Sequence, residues 1–296
     1  MQDQSKGAMA MKVTDNHNER TRLDGRVAWV TGASHGIGLA CARALAAKGC
    51  EVILISRNAR DLEEVHRAFL SEGMKAKWFA CDVCELDYFA SLVSNLDRLD
   101  ILVNNAGGNR PTAFLEVARE DFDWLVGLNV RSLFFASQAA MRKMVQLGTK
   151  GSIINMSSQS DHVGLPKRTV YCLTKHAVEG LTKALALEAA PFGIRVNAVA
   201  PTFVRTPMAE NYFADPQFSE YVQARIPLGR WASPEDVADA VAFLASDAAA
   251  AALALGTQTI KPADMLVGGV TPMSRKLNVS SLDGSALICS PDRQRH

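Results

Sequence analysis

The sequence has almost no net charge, no long apolar run and no disulfide scaffold, and each lack excludes a class of protein. Its 32 Lys and Arg balance 31 Asp and Glu, so no overall field favours nucleic acid or an anionic membrane as a partner. The Ala/Leu run at residues 248–255 is far shorter than the roughly 18 apolar residues of a membrane-spanning helix. A hydrophobic fraction of 48% excludes wholesale disorder.

The first 22 residues are polar and lack the apolar segment of a signal peptide, so we expect a flexible leader at 1–22. Six cysteines are scattered along the chain rather than spaced as a disulfide framework: Cys41, Cys50, Cys81, Cys84, Cys172 and Cys289. Cys81 and Cys84 have C-x-x-C spacing, but no second pair accompanies them, and we interpret both as small core residues beside Asp82. We therefore predict a cytoplasmic protein without a metal site.

From residue 25 onward, short apolar runs alternate with longer helical stretches. The apolar runs predict strands at residues 26–30, 51–55, 77–80, 101–103, 152–155 and 195–199. The main helices are predicted at residues 37–48, 59–72, 120–147 and 170–190. Apolar strands that alternate with helices indicate βαβ units, a parallel sheet and helices on both faces. We expect one α/β domain at 23–269 with a loose tail at 270–296, and a mobile lid at 207–226.

A glycine-rich turn follows the first predicted strand and opens a helix, with the sequence Thr31-Gly-Ala-Ser-His-Gly-Ile-Gly38. Glycines there permit a tight turn and let backbone amides approach a phosphate, and the helix N-terminus adds partial positive charge. The T-G-x-x-x-G-x-G spacing therefore predicts a nucleotide-binding turn, the alternative being a purely structural one.

Three further motifs follow in order: Asn104-Asn-Ala-Gly107, Tyr171-Cys-Leu-Thr-Lys175 and Pro201-Thr-Phe-Val-Arg-Thr206. Together with the glycine turn, they resemble the short-chain dehydrogenase/reductase family from about residue 23 to about residue 246. The resemblance implies a doubly wound, Rossmann-like sheet that binds NAD(H) or NADP(H), and hydride transfer between an alcohol and a carbonyl. We also expect a homo-oligomer, either a dimer or a tetramer.

Tyr171 is the expected proton donor to the alkoxide that hydride transfer creates. Lys175 lies one helical turn later on the same face. The pKa of a free tyrosine is about 10, and an ammonium roughly 4 Å away would favour tyrosinate. We therefore expect Lys175 to lower the pKa of Tyr171, with burial acting in the opposite direction.

Two more catalytic residues are implied by the resemblance. Ser158 stands thirteen residues before Tyr171, where the family has the serine that donates to the substrate carbonyl. Ser157 is the competing candidate. Asn129 matches the family's helix asparagine that holds a proton-relay water, the alternative being an ordinary capping or core amide.

Cofactor preference can be predicted from the turn after the second strand. An NAD site usually has an acidic residue about twenty residues beyond the glycines, whereas this chain has Ser56 and Arg57. A carboxylate would repel a 2′-phosphate and a guanidinium can bind it, so we predict NADP(H) as preferred and NAD(H) as possible. The remaining cofactor contacts implied by the resemblance are Gly32, Ser34, His35, Gly36, Ile37, Gly38, Asp82, Val83, Asn104, Ala106, Gly107, Pro201, Val204 and Thr206, besides Tyr171 and Lys175.

The expected substrate is a small polar molecule such as a sugar acid or hydroxy acid. A 3-ketoacyl thioester is the rival substrate, and a non-catalytic dinucleotide-binding sensor or scaffold is the alternative function. Arg110, Lys167 and Arg168 lie in loops beyond strand ends, where they could meet a substrate carboxylate or phosphate. Solvated surface charge is the alternative interpretation of each.

The end of the chain departs from the family's pattern. The family closes with a T-G strand and V-D-G-G seven residues from the first glycine, whereas Gly256 and Gly268 are twelve residues apart here. An altered terminal strand would affect subunit packing and the floor of the pocket.

Overall fold

The computed structural model describes residues 19–252 apart from 215, 225 and 227. Most of the predicted leader, the segment from Gly256 to Gly269, the predicted tail at 270–296 and Cys289 lie outside the described residues. The predicted domain boundaries therefore stay predictions. Within the described part of the chain, no helix is long and apolar enough to cross a membrane.

Six parallel strands form one sheet in the part of the chain that the structure describes. They are β1 (Val27–Thr31), β2 (Glu51–Ser56), β3 (Ala76–Ala80), β4 (Ile101–Asn104), β5 (Ser152–Met156) and β6 (Arg195–Val199). Their order is β3-β2-β1-β4-β5-β6, so the chain winds outward from β1 to one edge and then from β4 to the other. The doubly wound sheet is confirmed, and each strand lies within about one residue of its predicted bounds.

Helices cover both faces of the sheet. They are α1 (Gly36–Ala47), α2 (Ala59–Ser71), α3 (Leu86–Ser94), α4 (Arg119–Val126), α5 (Ser132–Leu147), α6 (Thr169–Ala189), α7 (Glu210–Phe213), α8 (Pro216–Gln223) and α9 (Pro234–Ala245). Helices α1, α2 and α9 share one apolar cluster with the sheet, and α3, α5 and α6 share another. Two such layers are what the fully apolar strands require, because both faces of each strand must be covered.

The two cores are built from side chains that alternate along the strands. Trp29 of β1 is fully buried on one face, where Phe79 stacks at 6.0 Å and Phe89 packs edge-on at 5.4 Å. Its neighbour Val30 points into the other cluster, with Leu45 of α1. Because an aromatic core side chain contributes much apolar area, truncation of Trp29 to alanine should cost about 3–5 kcal/mol of stability.

A polar chain crosses the second core and links four elements. Asn104 of β4 donates to Ser137 Oγ of α5 at 2.8 Å and to Asn155 Oδ1 of β5 at 2.9 Å. Asn155 in turn donates to Thr182 Oγ1 of α6 at 2.9 Å. All four side chains are buried, so each hydrogen bond also avoids the penalty of an unpaired buried polar group.

The helix predicted over 120–147 is wrong as a single element. A π-helical segment, Gly127–Arg131, separates α4 from α5. Asn129 within it is buried and exchanges two hydrogen bonds with the Gly108 backbone, at 2.8 and 2.9 Å. The widened turn is of the kind that is frequent at functional sites, and the continuous apolar periodicity of the sequence hides it.

The predicted lid segment consists of short helices in its described part. A single 3₁₀ turn (Pro207–Ala209) leads into α7 and then α8. Trp231 packs against the segment. Its ring centroid lies 4.6 Å from that of Phe213 within the segment and 5.9 Å from that of Phe203 before it. The mobility of the lid stays a prediction.

Candidate active site

A cavity of about 300 Å³ opens at the carboxyl ends of the strands, the edge where ligands bind in open α/β sheets. Most of the predicted site residues line it: Gly32, His35, Gly36, Ile37, Ser56, Arg57, Asp82, Val83, Ala106, Gly107, Ser158, Tyr171, Lys175, Pro201 and Thr206. The sequence thus located the cleft through motifs that are far apart along the chain.

Five predicted residues do not line the cavity: Ser34, Gly38, Asn104, Asn129 and Val204. All but Gly38 have buried side chains, and Gly38 has no room for a side chain. The lining also includes Ser157, the competing serine, and six residues that were not predicted as part of the site: Cys81, Asn105, Gly108, Leu128, Met156 and Thr202. Each of the six lies within two residues of a predicted site residue along the chain, and that adjacency was the available signal.

The glycine turn requires glycine at two positions for different reasons. Gly32 has φ +66°, and a Cβ there would lie 2.8 Å from Asn105 Nδ2. A Cβ on Gly38 would lie 2.2 Å from the Gly32 carbonyl oxygen, so α1 can begin this close to the turn only without a side chain. Asn105 fixes the opposite wall, because its Nδ2 donates to the Thr31 carbonyl at 2.9 Å.

Ser56 and Arg57 lie at the same end of the cavity as the glycine turn. Ser34 Oγ lies 3.0 Å from Ser56 Oγ and 2.9 Å from His35 Nδ1, which ties the turn to the end of β2. Arg57 is exposed and lines the cavity. The only carboxylate among the lining residues, Asp82, accepts a hydrogen bond from the Cys84 amide at 2.9 Å.

Ser158, Tyr171 and Lys175 converge at the other end of the cavity. Lys175 on α6 is buried, and its Nζ donates to the Met156 carbonyl at the end of β5, at 2.8 Å. The Tyr171 hydroxyl is within hydrogen-bonding reach of Ser158. Ser157, the competing serine, instead donates to the Asp161 carboxylate at 2.8 Å. Ser158 Oγ also donates within the protein, to Ser160 Oγ at 3.2 Å, and both serines line the cavity. The choice of Ser158 over Ser157 as the serine that faces a ligand stays a prediction.

The expected direction of the Tyr171 pKa is wrong for this structure. Burial raises the pKa of Tyr171, and the hydrogen bond to Ser158 and the charge of Arg168 offset only part of that rise. Burial also lowers the pKa of Lys175 to about 8, against the opposing charge of Asp161. The effect of burial on the two pKa values is larger than the expected effect of the Lys175 ammonium on the phenol.

The Asn129 side chain makes three hydrogen bonds. Besides its two hydrogen bonds to Gly108, its Nδ2 donates to Thr174 Oγ1 on α6 at 3.1 Å. The side chain therefore ties the loop after β4 to the helix that carries Tyr171. Sequence spacing alone predicted the residue but not these partners.

The three cations Arg110, Lys167 and Arg168 do not line this cavity but a separate one of about 10 Å³, and they differ in their surroundings. Arg110 is in an ion pair with Asp121 and stacks over the Trp124 ring at 4.5 Å, so it is a paired surface charge. Lys167 is exposed and has φ +59°, a left-handed conformation uncommon outside glycine. Arg168 is half-buried directly before α6, and its charge reaches Tyr171.

The prediction that both cysteines of the C-x-x-C pair are core residues is confirmed for only one of them. Cys81 is buried, as expected, but Cys84 is exposed, because it lies in the turn between β3 and α3 rather than in the core. The described cysteines are free thiols. Among the described residues, no group of His, Cys, Asp and Glu side chains could hold a metal ion.

Comparison with known proteins agrees with this geometry. The family model described as enoyl-(acyl carrier protein) reductase matches residues 32–254. Gluconate 5-dehydrogenase of Gluconobacter oxydans (strain 621H) is 38% identical over 237 residues, 79% of this chain and 92% of that protein. L-xylulose reductase of Bos taurus is 40% identical over 226 residues, which are 76% and 91% of the two chains.

A solved structure is similar in both sequence and fold. The crystal structure of a gluconate 5-dehydrogenase from Burkholderia cenocepacia J2315, in complex with NADP and tartrate, matches with a TM-score of 0.77 and 34% identity. The match covers 80% of this chain and 94% of that one.

The doubly wound sheet, the glycine turn and these matches define an oxidoreductase of the nicotinamide-dinucleotide-binding class. The chain belongs to the short-chain dehydrogenase/reductase family.

Proposed function

We propose that the protein is an NADP(H)-dependent oxidoreductase that interconverts a secondary alcohol and a ketone on a small sugar-like substrate, a sugar acid in particular. One observation carries the proposal: Ser158, Tyr171 and Lys175 line the same cavity as the glycine turn. The names of the matched relatives, a gluconate dehydrogenase and a xylulose reductase, support the same substrate class.

The cavity fits a dinucleotide phosphate. Gly36 lines it with φ +56°, and any side chain there would be strained and would occupy space beside Thr206. Arg57 supplies a cation at the end of β2, where Ser56 replaces the acidic residue usual for NAD. These residues support binding of NADP(H) through its phosphates and 2′-phosphate. When bound, the cofactor supplies or accepts the hydride.

The chain's own residues then have distinct tasks in reduction. Ser158 donates a hydrogen bond to the substrate carbonyl oxygen, which strengthens as that oxygen gains negative charge. Tyr171 transfers its phenolic proton to the same oxygen, and the Lys175 ammonium stabilises the tyrosinate that remains. Asn129 positions the loop after β4 through Gly108, and its family role of holding a relay water remains part of the proposal.

Arg168 favours an acidic substrate over a neutral one. It stands three residues before Tyr171, and its charge acts on the phenol. A substrate whose carboxylate lies a few bonds from the reacting carbon would bring that carboxylate near the guanidinium, which binds carboxylates well.

The activity test is a panel of ketoses, keto-sugar acids and 3-ketoacyl thioesters with NADPH oxidation as the readout. We expect turnover with keto-sugar acids and a lower KM for them than for neutral ketoses. Turnover of thioesters alone would replace the proposed substrate class. Tight NADPH binding without any turnover would instead support a dinucleotide sensor.

The contribution of Arg168 can be isolated with a matched variant. Arg168→Gln should raise KM for keto-sugar acids by about tenfold or more, since a charge-assisted hydrogen bond is worth about 1.5–3 kcal/mol. KM for neutral ketoses should stay nearly constant. Lys167→Gln, which removes the adjacent exposed cation, is the control. An equal rise for acidic and neutral substrates would assign Arg168 a structural role only.

We also propose that the protein is a homo-oligomer in the cytoplasm. Six large apolar side chains are exposed on two neighbouring helices: Phe134, Phe135, Val145 and Leu147 on α5, and Leu173 and Leu187 on α6. Exposed apolar patches of this kind commonly mark protein interfaces. Light scattering coupled to size-exclusion chromatography tests this, and a monomer at micromolar concentration would contradict it. The cytoplasmic location rests on the cysteine pattern and stays a prediction.

A further inference from the structure

A pair of carboxyl groups lies behind the catalytic side chains. Asp161 ends the short turn Gln159–Asp161 after β5, and Glu179 lies on α6 one turn beyond Lys175. The Asp161 side chain is completely buried, and Glu179 is within hydrogen-bonding reach of it. Ser157, which donates to Asp161 at 2.8 Å, directly follows Met156, whose carbonyl accepts from Lys175 Nζ at 2.8 Å. The pair therefore lies beside Lys175 without being part of the cavity lining.

The hydrogen bonds of this pair leave two oxygens without donors. Ser157 Oγ donates to Asp161 Oδ2 at 2.8 Å. Asp161 Oδ1 and Glu179 Oε1 are buried, and neither accepts a hydrogen bond from the protein when both groups are ionised. Two buried carboxylates in contact are costly, but a single shared proton removes one charge and lets one group donate to the other.

The proton belongs on Glu179. Burial raises the pKa of Glu179, and the neighbouring Asp161 raises it further, while the Ser157 hydroxyl and the charge of Lys183 oppose this. With the proton on Glu179, the negative charge of the pair stays on Asp161. The Ser157 hydroxyl already donates to that carboxylate, as an ionised acceptor requires.

The charge on Asp161 acts on both catalytic groups. Burial lowers the pKa of Lys175, and Asp161 raises it again; Asp161 also raises the pKa of Tyr171. The hydrogen bond of Lys175 to the Met156 carbonyl has a neutral acceptor, so it supplies no counter-charge. Both effects of Asp161 keep protons on the catalytic pair, and this is the form that reduces a carbonyl.

We propose that Asp161 is a positioning residue of the reaction: with the shared proton on Glu179, its buried carboxylate is the counter-charge that holds Lys175 and Tyr171 in their protonated forms. The inference rests on the proposed function, which makes those two residues the proton-transfer groups. It adds a residue outside the four that the family resemblance implies.

Other charged or titratable groups also face this cluster. His162 is exposed, and its Nδ1 lies 2.9 Å from Asp161 Oδ1, within ion-pair distance but without hydrogen-bond alignment. Arg168 and Cys172 act on Tyr171, and Lys183 acts on Glu179. Asp161 alone acts on both Tyr171 and Lys175.

Isosteric variants of the pair test the proposal. Asp161→Asn removes the charge, so the alkaline limb of kcat/KM for ketone reduction should move to lower pH by on the order of 1 pH unit. Glu179→Gln replaces a neutral carboxylic acid with a neutral amide, so the limb should stay in place. If Asp161→Asn folds poorly in thermal melts, the double variant Asp161→Asn, Glu179→Gln restores a donor and an acceptor and should show the same displacement.

A second readout does not need turnover. The Tyr171 phenol is titrated by tyrosinate absorbance, taken as the difference between each protein and the same protein carrying Tyr171→Phe. Asp161→Asn should lower the midpoint and Glu179→Gln should leave it unchanged. If the wild type reduces no substrate, the proposed function fails, whereas this titration still decides the role of Asp161. An unmoved midpoint in Asp161→Asn, or a larger displacement in Glu179→Gln, would overturn the proposal.

Discussion

Nζ of Lys175 lies over the face of the Tyr171 ring, 5.5 Å from the ring centroid. An ammonium in this position is attracted by the ring face. Burial is nevertheless the largest cause of the pKa shift of each group: it raises the pKa of Tyr171 and lowers that of Lys175 to about 8. Tyr171 therefore keeps its phenolic proton until a substrate oxygen accepts it.

The pH profile of ketone reduction should reflect the deprotonation of Lys175. Because its pKa is lowered to about 8, the ammonium is lost as the pH rises through that value, and kcat/KM should fall there. Lys175→Arg keeps a permanent charge, so its profile should stay flat to higher pH even if its rate is lower. An alkaline limb at the same pH in both proteins would assign the titration to another group.

Substitutions of Tyr171 and Lys175 should have different effects on turnover and on NADPH affinity. Tyr171→Phe should reduce turnover by roughly 10²–10⁴-fold, since it removes only the transferred proton, while NADPH affinity stays nearly unchanged. Lys175→Ala should impair both, because we expect the ammonium to contact the cofactor as well. Stopped-flow kinetics and NADPH fluorescence titration measure the two effects. A Tyr171→Phe protein with more than about a tenth of wild-type activity would exclude the acid role.

The wild type should bind NADPH about ten- to a hundredfold more tightly than NADH. The basis is Arg57, whose charge-assisted hydrogen bond to a 2′-phosphate is worth about 1.5–3 kcal/mol. Ser56→Asp combined with Arg57→Ala should reverse the order, because a carboxylate then favours the free 2′-hydroxyl. Fluorescence titration of both cofactors is the measurement. Equal wild-type affinities would show that Arg57 makes no such contact.

Gly38→Ala should destabilise the protein by about 1–3 kcal/mol and weaken NADPH binding, because its Cβ would collide with the Gly32 carbonyl and force the turn open. Gly180→Ala on α6 is the matched control. A Cβ there meets nothing within 4 Å, so alanine should be neutral or stabilising by up to about 1 kcal/mol. Urea denaturation of both variants provides the comparison. Equal stability of the two would mean that the turn relaxes freely.

The sequence predicted those parts of the molecule that local patterns encode. The six strands of the described residues were found because each is a short, mainly apolar run between helices, as is typical of parallel strands covered on both faces. The break at Asn129 was missed because the apolar periodicity continues through it, and the π segment depends on contacts with Gly108 on another element. The exposure of Cys84 was missed because C-x-x-C spacing does not show which side chains of the turn after β3 face solvent.

For the candidate site too, the sequence predicted what local motifs encode and missed what depends on tertiary packing. Motifs located most of the cavity lining, since the carboxyl ends of parallel strands meet at one edge. The pairing of Asp161 with Glu179 could not be predicted, because it arises only when the turn after β5 packs against α6. The direction of the Tyr171 pKa was wrong for the same reason. Burial is a property of the folded neighbourhood, and the spacing of Tyr171 and Lys175 does not contain it.

The buried chain from Asn104 through Asn155 to Thr182 has a consequence for how such a protein can evolve. Loss of one amide would leave its neighbour's donor or acceptor stranded in the core, so an isolated substitution is disfavoured until its partner changes too. Substitutions within this buried chain should therefore occur in compensating pairs. New substrate preferences should arise instead in exposed loops beyond the strand ends, such as the one that carries Lys167, because a substitution there breaks no link of this buried chain.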